Sequence, residues 1–370
     1  MDAKERIETA LDRKEPDHVP IWELAYNESS IIGIASRFIE QAHLPEPKMV
    51  VDMTGEEKIA TINALVTFIK ELDIDGATAF PMIPRERIDE DHIKDAFGIT
   101  SHLSPLGEPH PIEGPVTDME TLKSYVMREP EESDFLMLDV LRQALPDKSI
   151  AFDTQGTFRI SWGLVGSMEK LLMDYILEPE FAKGLADMVT EYVLKVVDMA
   201  FDRGADWLLL DGDLAFNTGP LMSPAHYDEF IGPFHKKICD LVHKRGKKVV
   251  KHSDGELTPL VPALMEAGVD GIHPIQPQCM DIRETKKRFG DRLCIVGNID
   301  CSDLLVNGTE KEVDEVVRDT IEKAAPGGGY IISSSNSIHP GVNPDNYIAM
   351  VKATKKYGIY GSLGKASTTG

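Results

Sequence analysis

The chain has 370 residues, enough for one large α/β barrel or two ordinary domains, and its 42% hydrophobic content supplies material for a core. Its 62 acidic against 39 basic residues leave a formal net charge of −23, which repels polyanions and excludes nucleic acid as a partner. No window approaches the roughly 18 consecutive apolar residues that cross a bilayer, so no membrane association is expected.

Residues 1–13 are charged and helix-like, with no apolar stretch before a cleavage site. Residues 19–22 form the first of eight short apolar runs, the pattern of parallel strands buried on both faces. Glu23 and Tyr26 follow it. A helical stretch at 57–72 leads to the second run, 76–80. Residues 84–116 then break the alternation. They are polar and rich in Pro and Gly, and are predicted to be an insertion, a hairpin over the barrel mouth. The third run, 150–153, ends in Asp153 and Gln155, with Phe158 and Trp162 just beyond. A long helical pattern at 168–203 precedes the fourth run, 207–211, which closes on Asp211 and Asp213.

Ser223-Pro224 reads as the cap and first turn of a helix over 224–245, stopped at Arg245-Gly246. The stretch KKVVKHSDG, residues 247–255, is the most telling: a β-branched run halts in His252, Ser253, Asp254 and Gly255. The runs 271–275 and 293–296 follow, with His273 and Gln276 after one and Asn298, Asp300 and Cys301 after the other. Thr309-Glu310 opens a helix over 310–325. The eighth run, 330–333, is trailed by Ser335, Asn336 and His339. Eight β-then-α units predict an α/β fold: a single (β/α)8 TIM-like barrel with an insertion after the second strand. It spans residues 1–361, and the small polar segment 362–370 reads as a disordered tail.

In such a barrel the polar residues at the strand ends converge on one mouth. His252 and Asp254 lie two apart, so on extended backbone both point the same way. A histidine and a carboxylate side by side form a general acid/base pair, two metal ligands, or a structural hydrogen bond. Asp211 and Asp213 share that spacing, and paired carboxylates raise one another's pKa or hold a cation. The four cysteines, Cys239, Cys279, Cys294 and Cys301, form no CxxC pair. Free thiols without a secretory signal point to the reducing cytoplasm. Only Cys301 stands at a strand end, a candidate metal ligand beside His252 and Asp254.

Four segments resemble the uroporphyrinogen decarboxylase superfamily. ERIETALDRKEPDHVPIW resembles its first helix and strand, SPAHYDEFIGPFHKKI the helix after its fourth strand, GNIDCSDLL its Gly-Asn-Leu-Asp segment, and HPGVNPDNYIAMVKATKKYG its closing helix. The superfamily holds decarboxylases and cobalamin-linked methyltransferases. The decarboxylase pattern places arginines just after the first strand to pair with carboxylates. Here those positions are Glu23, Leu24, Ala25 and Tyr26. Its catalytic aspartate falls where this chain has Phe80, Pro81 and Met82; its tyrosine aligns with Trp162 and its late histidine with Asn336. The thiol-methylating branch resembles a His-x-Cys zinc pattern with a distant second Cys; here it reads His252-Ser253-Asp254, with Asn336 near the second position.

The chain is similar to the remaining branch, which moves a methyl group from a small methylated substrate, here a methoxylated aromatic, to a corrinoid protein. The resemblance therefore implies an O-demethylase component with cobalamin on a partner protein, a homodimer, and a site to which zinc is a candidate addition. His252 and Asp254 would activate the leaving group or bind metal, with Cys301 and Glu23 as further candidate ligands. Asp211, Asp213, Asn336 and His339 would shape the pocket, and Tyr26, Phe158 and Trp162 would stack on the substrate. The alternatives are a decarboxylase and a catalytically silent barrel used for binding.

Overall fold

A computed structural model describes residues 1–104 and 109–363; most of the expected tail, from 364 onward, lies outside the described residues. Seven of the eight apolar runs are strands of one parallel sheet: β1 (Gly76–Ala79), β6 (Ser149–Thr154), β7 (Trp207–Leu210), β10 (Val249–His252), β11 (Gly271–His273), β12 (Cys294–Val296) and β13 (Tyr330–Ile331), in that spatial order. The eighth run, residues 19–22, closes the ring. Trp22 N donates to Ile332 O and Ile332 N to Pro20 O beside β13, while Asp75 N and Gly76 N donate to Ile21 O beside β1. Pro20 has no N–H, which limits this segment to single bridges. The TIM-like barrel is therefore complete.

One cluster fills the barrel: Trp22, Ala151, Trp207, Leu209, Val250, Cys294, Val296 and Ile331, floored by Ile7, Ala10 and Leu11 of the first helix, Ala3–Leu11. Side chains alternate along a strand. Two positions beyond Ala151, Leu209, Val250, Val296 and Ile331 come Asp153, Asp211, His252, Asn298 and Ser333, so the interior faces end in polar groups at one mouth. Arg6, held to Asp75 at 2.5 Å and to Asp17, pins the floor helix beneath.

The outer helices follow the expected patterns with two interruptions. The stretch 168–203 is two helices, Met168–Leu177 and Pro179–Asp202, because Pro179 cannot donate back and starts a new first turn. The stretch 224–245 likewise divides into Pro224–Phe230 and Gly232–Lys244 at Gly232-Pro233. The expected caps form: Ser223 Oγ accepts from His226 N, and Thr309 and Glu312 make a reciprocal capping box. Among the described residues, no helix is long and apolar enough to cross a membrane.

The insertion is more than a hairpin. Its strands β2 (Arg85–Arg87), β3 (His92–Asp95), β4 (Thr100–Leu103) and β5 (Pro109–Glu113) form an antiparallel sheet of four in sequence order. It closes against the helix that follows β6, Gly156–Val165, where Val116 N donates to Leu164 O. The contact is backbone to backbone: a Cβ on Gly114 would lie 2.0 Å from Leu164 O. A small hairpin, β8 (Ala215–Phe216) and β9 (Gly219–Pro220), follows Asp213.

Candidate active site at the barrel mouth

Parallel register sets His252 of β10 directly beside His273 of β11, and their Nδ1 atoms are 2.7 Å apart. The proton positions follow from the neighbours. Ser333 Oγ donates its hydrogen to Ser334 O, so it can only accept from His273 Nε2 at 3.1 Å. His273 is then the Nε2–H tautomer, and its bare Nδ1 accepts a proton held on His252 Nδ1. Burial and the His252 charge hold His273 well below the usual histidine range, in keeping with a neutral ring. His252 Nε2 is left facing the acids. It stands 3.7 Å from Asp211 Oδ1, 3.7 Å from Asp213 Oδ1 and 3.9 Å from Asp254 Oδ1.

The acids are themselves fixed. Asp213 Oδ1 accepts Asp254 N at 2.9 Å, and Asp211 Oδ1 accepts Gly212 N at 2.6 Å. Asn336 Nδ2 donates to Asp254 Oδ2 at 2.6 Å. Burial raises Asp254 to about 6: the His252 charge opposes the rise, Asp213 and Asp211 add to it, and the Asn336 bond lowers it. Its Oδ1 is buried with no hydrogen-bond partner, as is Oδ1 of Asp153. Burial and Asp211 push Asp153 well above the ordinary carboxylate range. Lys251, of opposite parity to His252, is fully buried in the barrel wall, and its ammonium bonds Gly212 O and His252 O. Burial lowers it to about 8, against the pull of Asp211, Asp213 and Asp153.

This donor set suits a divalent ion. The ligand atoms of Asp213, His252 and Asp254 lie within 4.8 Å of one another. A histidine whose second nitrogen is already committed to a hydrogen bond is the usual metal-ligating arrangement. The unpartnered Asp254 oxygen is a second mark of fit. One nitrogen and two oxygens would leave open positions, the form of a catalytic rather than structural zinc site.

Five expected residues lie elsewhere. Glu23 has opposite parity to Trp22 and Leu24, which join the interior cluster, so it leaves the mouth. It accepts from Ser334 N at 3.0 Å and lies 2.6 Å from Ser334 Oγ, near the Tyr26–Tyr347 hydroxyl pair. Cys301 is outside the ligand group. Its Sγ lies 3.4 Å from Ser335 Oγ, and burial raises the thiol to about 11, so it stays protonated. His339 donates Nε2–H to Cys301 O and accepts Gly341 N at Nδ1, a loop clasp with both nitrogens in use. Phe158 packs with Tyr175 and Phe230 among the outer helices. Tyr26 is occupied by Tyr347 at 2.6 Å and by the edge of Phe68. Trp162 stays near, under the guanidinium of Arg159, 3.9 Å above its ring.

Sequence reasoning missed Lys251, Ser333 and Ser334. A lysine inside the VVKH run and three consecutive serines at a strand end were the available signals. Ser333, Ser334, Ser335 and Asn336 reach His273, Glu23, Cys301 and Asp254 in turn.

Residues 63–357 match the model of the family described as Uroporphyrinogen decarboxylase (URO-D). A uroporphyrinogen decarboxylase of Pseudoalteromonas atlantica is 23% identical over 95% of this chain and 96% of its own. One from Coxiella burnetii is 22% identical, covering 96% and 95%. Among solved structures, a methyltransferase from Methanosarcina mazei superposes with a TM-score of 0.69 at 16% identity, over 96% of this chain and 99% of that one.

Proposed function

The chain belongs to the uroporphyrinogen decarboxylase family, and from that premise we propose that it is a methyltransferase, taking a methyl group from a small methoxylated substrate and passing it to a corrinoid protein. The observation that carries the reading is His252 Nε2, held bare of any partner closer than 3.7 Å and ringed by Asp211, Asp213 and Asp254. Breaking an O–CH3 bond leaves the electron pair on oxygen, and an aryloxide departs well only when protonated or bound to a Lewis acid. Asp254 would supply the proton, and an ion held by His252, Asp213 and Asp254 would supply the Lewis acid. Asp254, near pH 6, can hold a proton for that oxygen. If zinc is bound, His252, Asp213 and Asp254 would hold it, and the ion would polarise the ether oxygen.

A corrinoid carried by a partner protein would supply the nucleophile that accepts the methyl carbon. This chain's own part is to position the ether, neutralise the departing oxygen and keep the proton inventory fixed. The His273–Ser333 chain does the last, because it leaves His252 only one free nitrogen. That a solved protein of the same fold is named a methyltransferase lends support. The relatives named as decarboxylases point to the rival reading. Against it stand the acids of the mouth, which repel a polycarboxylate, and the lack of an arginine at residues 23–26. The test is methyl transfer to cob(I)alamin from a panel of methoxylated aromatics and methylamines, run beside a uroporphyrinogen decarboxylation assay. Coproporphyrinogen formation without methyl transfer would overturn the proposal.

A further inference from the structure

Under the insertion sheet, beside the acids, lies a cavity of about 30 Å³, lined by Arg85, Asp95, Gln155 and Arg159 with an apolar frame including Phe97 and Ile99. A water needs ~10–15 Å³ by the same measure, so the space holds about two waters, or the two oxygens of one carboxylate. Two cations face it. Neither the Arg85 nor the Arg159 side chain makes a hydrogen bond or ion pair with any described residue, in a chain with 62 acids to 39 bases. Several other arginines are paired with acids, as Arg6 is with Asp75, Arg87 with Asp52, Arg128 with Asp134 and Arg142 with Asp206; what sets Arg85 and Arg159 apart is the cavity they share.

Asp95, the acid within reach, is already engaged, since its Oδ1 accepts Phe97 N at 2.9 Å and Ile99 N at 3.0 Å. Burial lowers Arg159, and the Arg85 charge opposes its own, while Asp211, Asp213 and Asp95 support it. Two guanidinium groups face one lining acid, Asp95, which leaves one positive charge over for an anionic ligand to match. Arg159 is also preorganised, its guanidinium stacked 3.9 Å over Trp162. Its Cβ abuts Gly212, the residue between Asp211 and Asp213, so the cavity adjoins the His252 cluster.

Resting on the methyltransferase reading, we infer that the methyl donor carries a carboxylate remote from its methoxy group, and that Arg85 and Arg159 clamp that carboxylate while the methoxy oxygen faces His252. Arginine is suited to this because its fork of N–H donors matches a carboxylate in two parallel bonds. The substrate class is then a methoxylated carboxylic acid. The insertion supplies one half of the clamp and the barrel the other, so the acid would bridge them.

The test is isothermal titration of the full chain with 4-methoxybenzoate and with neutral 4-methoxybenzyl alcohol, followed by methyl transfer to cob(I)alamin from each. The acid is expected to bind at least about tenfold tighter than the alcohol. Arg85→Gln and Arg159→Gln should each weaken the acid about tenfold or more, as loss of a charged hydrogen bond does, and leave the alcohol unchanged. Arg85 sits on the exposed insertion, so its variant reports even if Arg159→Gln fails to fold. Equal affinity for acid and alcohol, no measurable binding of the acid, or a folded Arg85→Gln with undiminished affinity would each overturn the clamp. The two readings fail differently. An acid that binds through both arginines yet is never demethylated upholds the clamp and sinks methyl transfer. An alcohol demethylated as fast as the acid does the reverse.

Discussion

Replacing Glu23 by Gln isolates one buried proton. Burial raises Glu23 to about 8 from an ordinary 4.5, with the Ser334 hydroxyl and amide opposing the rise. The hydrogen-bond geometry agrees with a neutral acid. Ser334 Oγ lies 2.5 Å from Asn336 O and 2.6 Å from Glu23 Oε2, but has one proton to give. If it goes to Asn336 O, the Glu23 carboxyl must carry its own and donate it to Ser334 Oγ. The sign of the stability effect follows. Below pH 4.5 folded and unfolded chains both hold the proton, and the contribution is fully present. Between 4.5 and 8 the unfolded chain releases it while the fold retains it, so stability falls by about 1.4 kcal/mol per pH unit. The loss approaches about 5 kcal/mol by pH 8, and it levels off above that. Glu23→Gln donates an N–H to Ser334 Oγ in the same place and has no proton to lose. Urea unfolding of both proteins from pH 4.5 to 8.5 should therefore show near-equal stability at the acid end and a variant advantage of several kcal/mol at the alkaline end. Parallel profiles would refute a neutral Glu23.

Four further outcomes are expected. His252→Ala and Asp254→Asn should each slow methyl transfer by ~10²–10⁴-fold, with substrate affinity changed far less; a lowered melting temperature with normal turnover would make the cluster a scaffold instead. Protein purified without chelators should carry about one divalent ion per chain, lost in His252→Ala; metal-free protein with full turnover would leave His252 and Asp254 as acid/base groups alone. Gly255→Ala should cost more than about 1 kcal/mol, because φ is +86° and its Cβ would stand 2.5 Å from Phe216 O; an unchanged thermal midpoint contradicts this. Uroporphyrinogen should not be decarboxylated, which a porphyrin fluorescence assay checks directly.

The barrel was legible because strands buried on both faces leave an unmistakable apolar run, and all eight runs fall in the ring. His252, Asp211, Asp213, Asp254 and Asn336 could be foreseen as strand-end polar groups, since strand ends share a mouth. What could not be foreseen depends on register and parity. His273 reads as an ordinary packed histidine until Val250 is set beside Gly271, which brings the two imidazoles together. Glu23 reads as a mouth residue until Trp22 and Leu24 are seen to take the inward positions. Arg85 and Arg159 are 74 positions apart, and only the folding of the insertion onto the helix after β6 gives them a common cavity. The helix breaks at Pro179 and Gly232-Pro233 are masked in the sequence because the apolar period continues across them.

The insertion and the barrel mouth differ in how they are wired. The hydrogen bonds that orient His252, His273, Asp213 and Asp254 come from barrel strand ends, and none comes from the described residues of the insertion, 84–104 and 109–116. Heredity can thus rewrite the roof while leaving the proton circuitry untouched. A lineage exchanging this one segment would hand the His252 hydrogen bonds unaltered from ancestor to descendant.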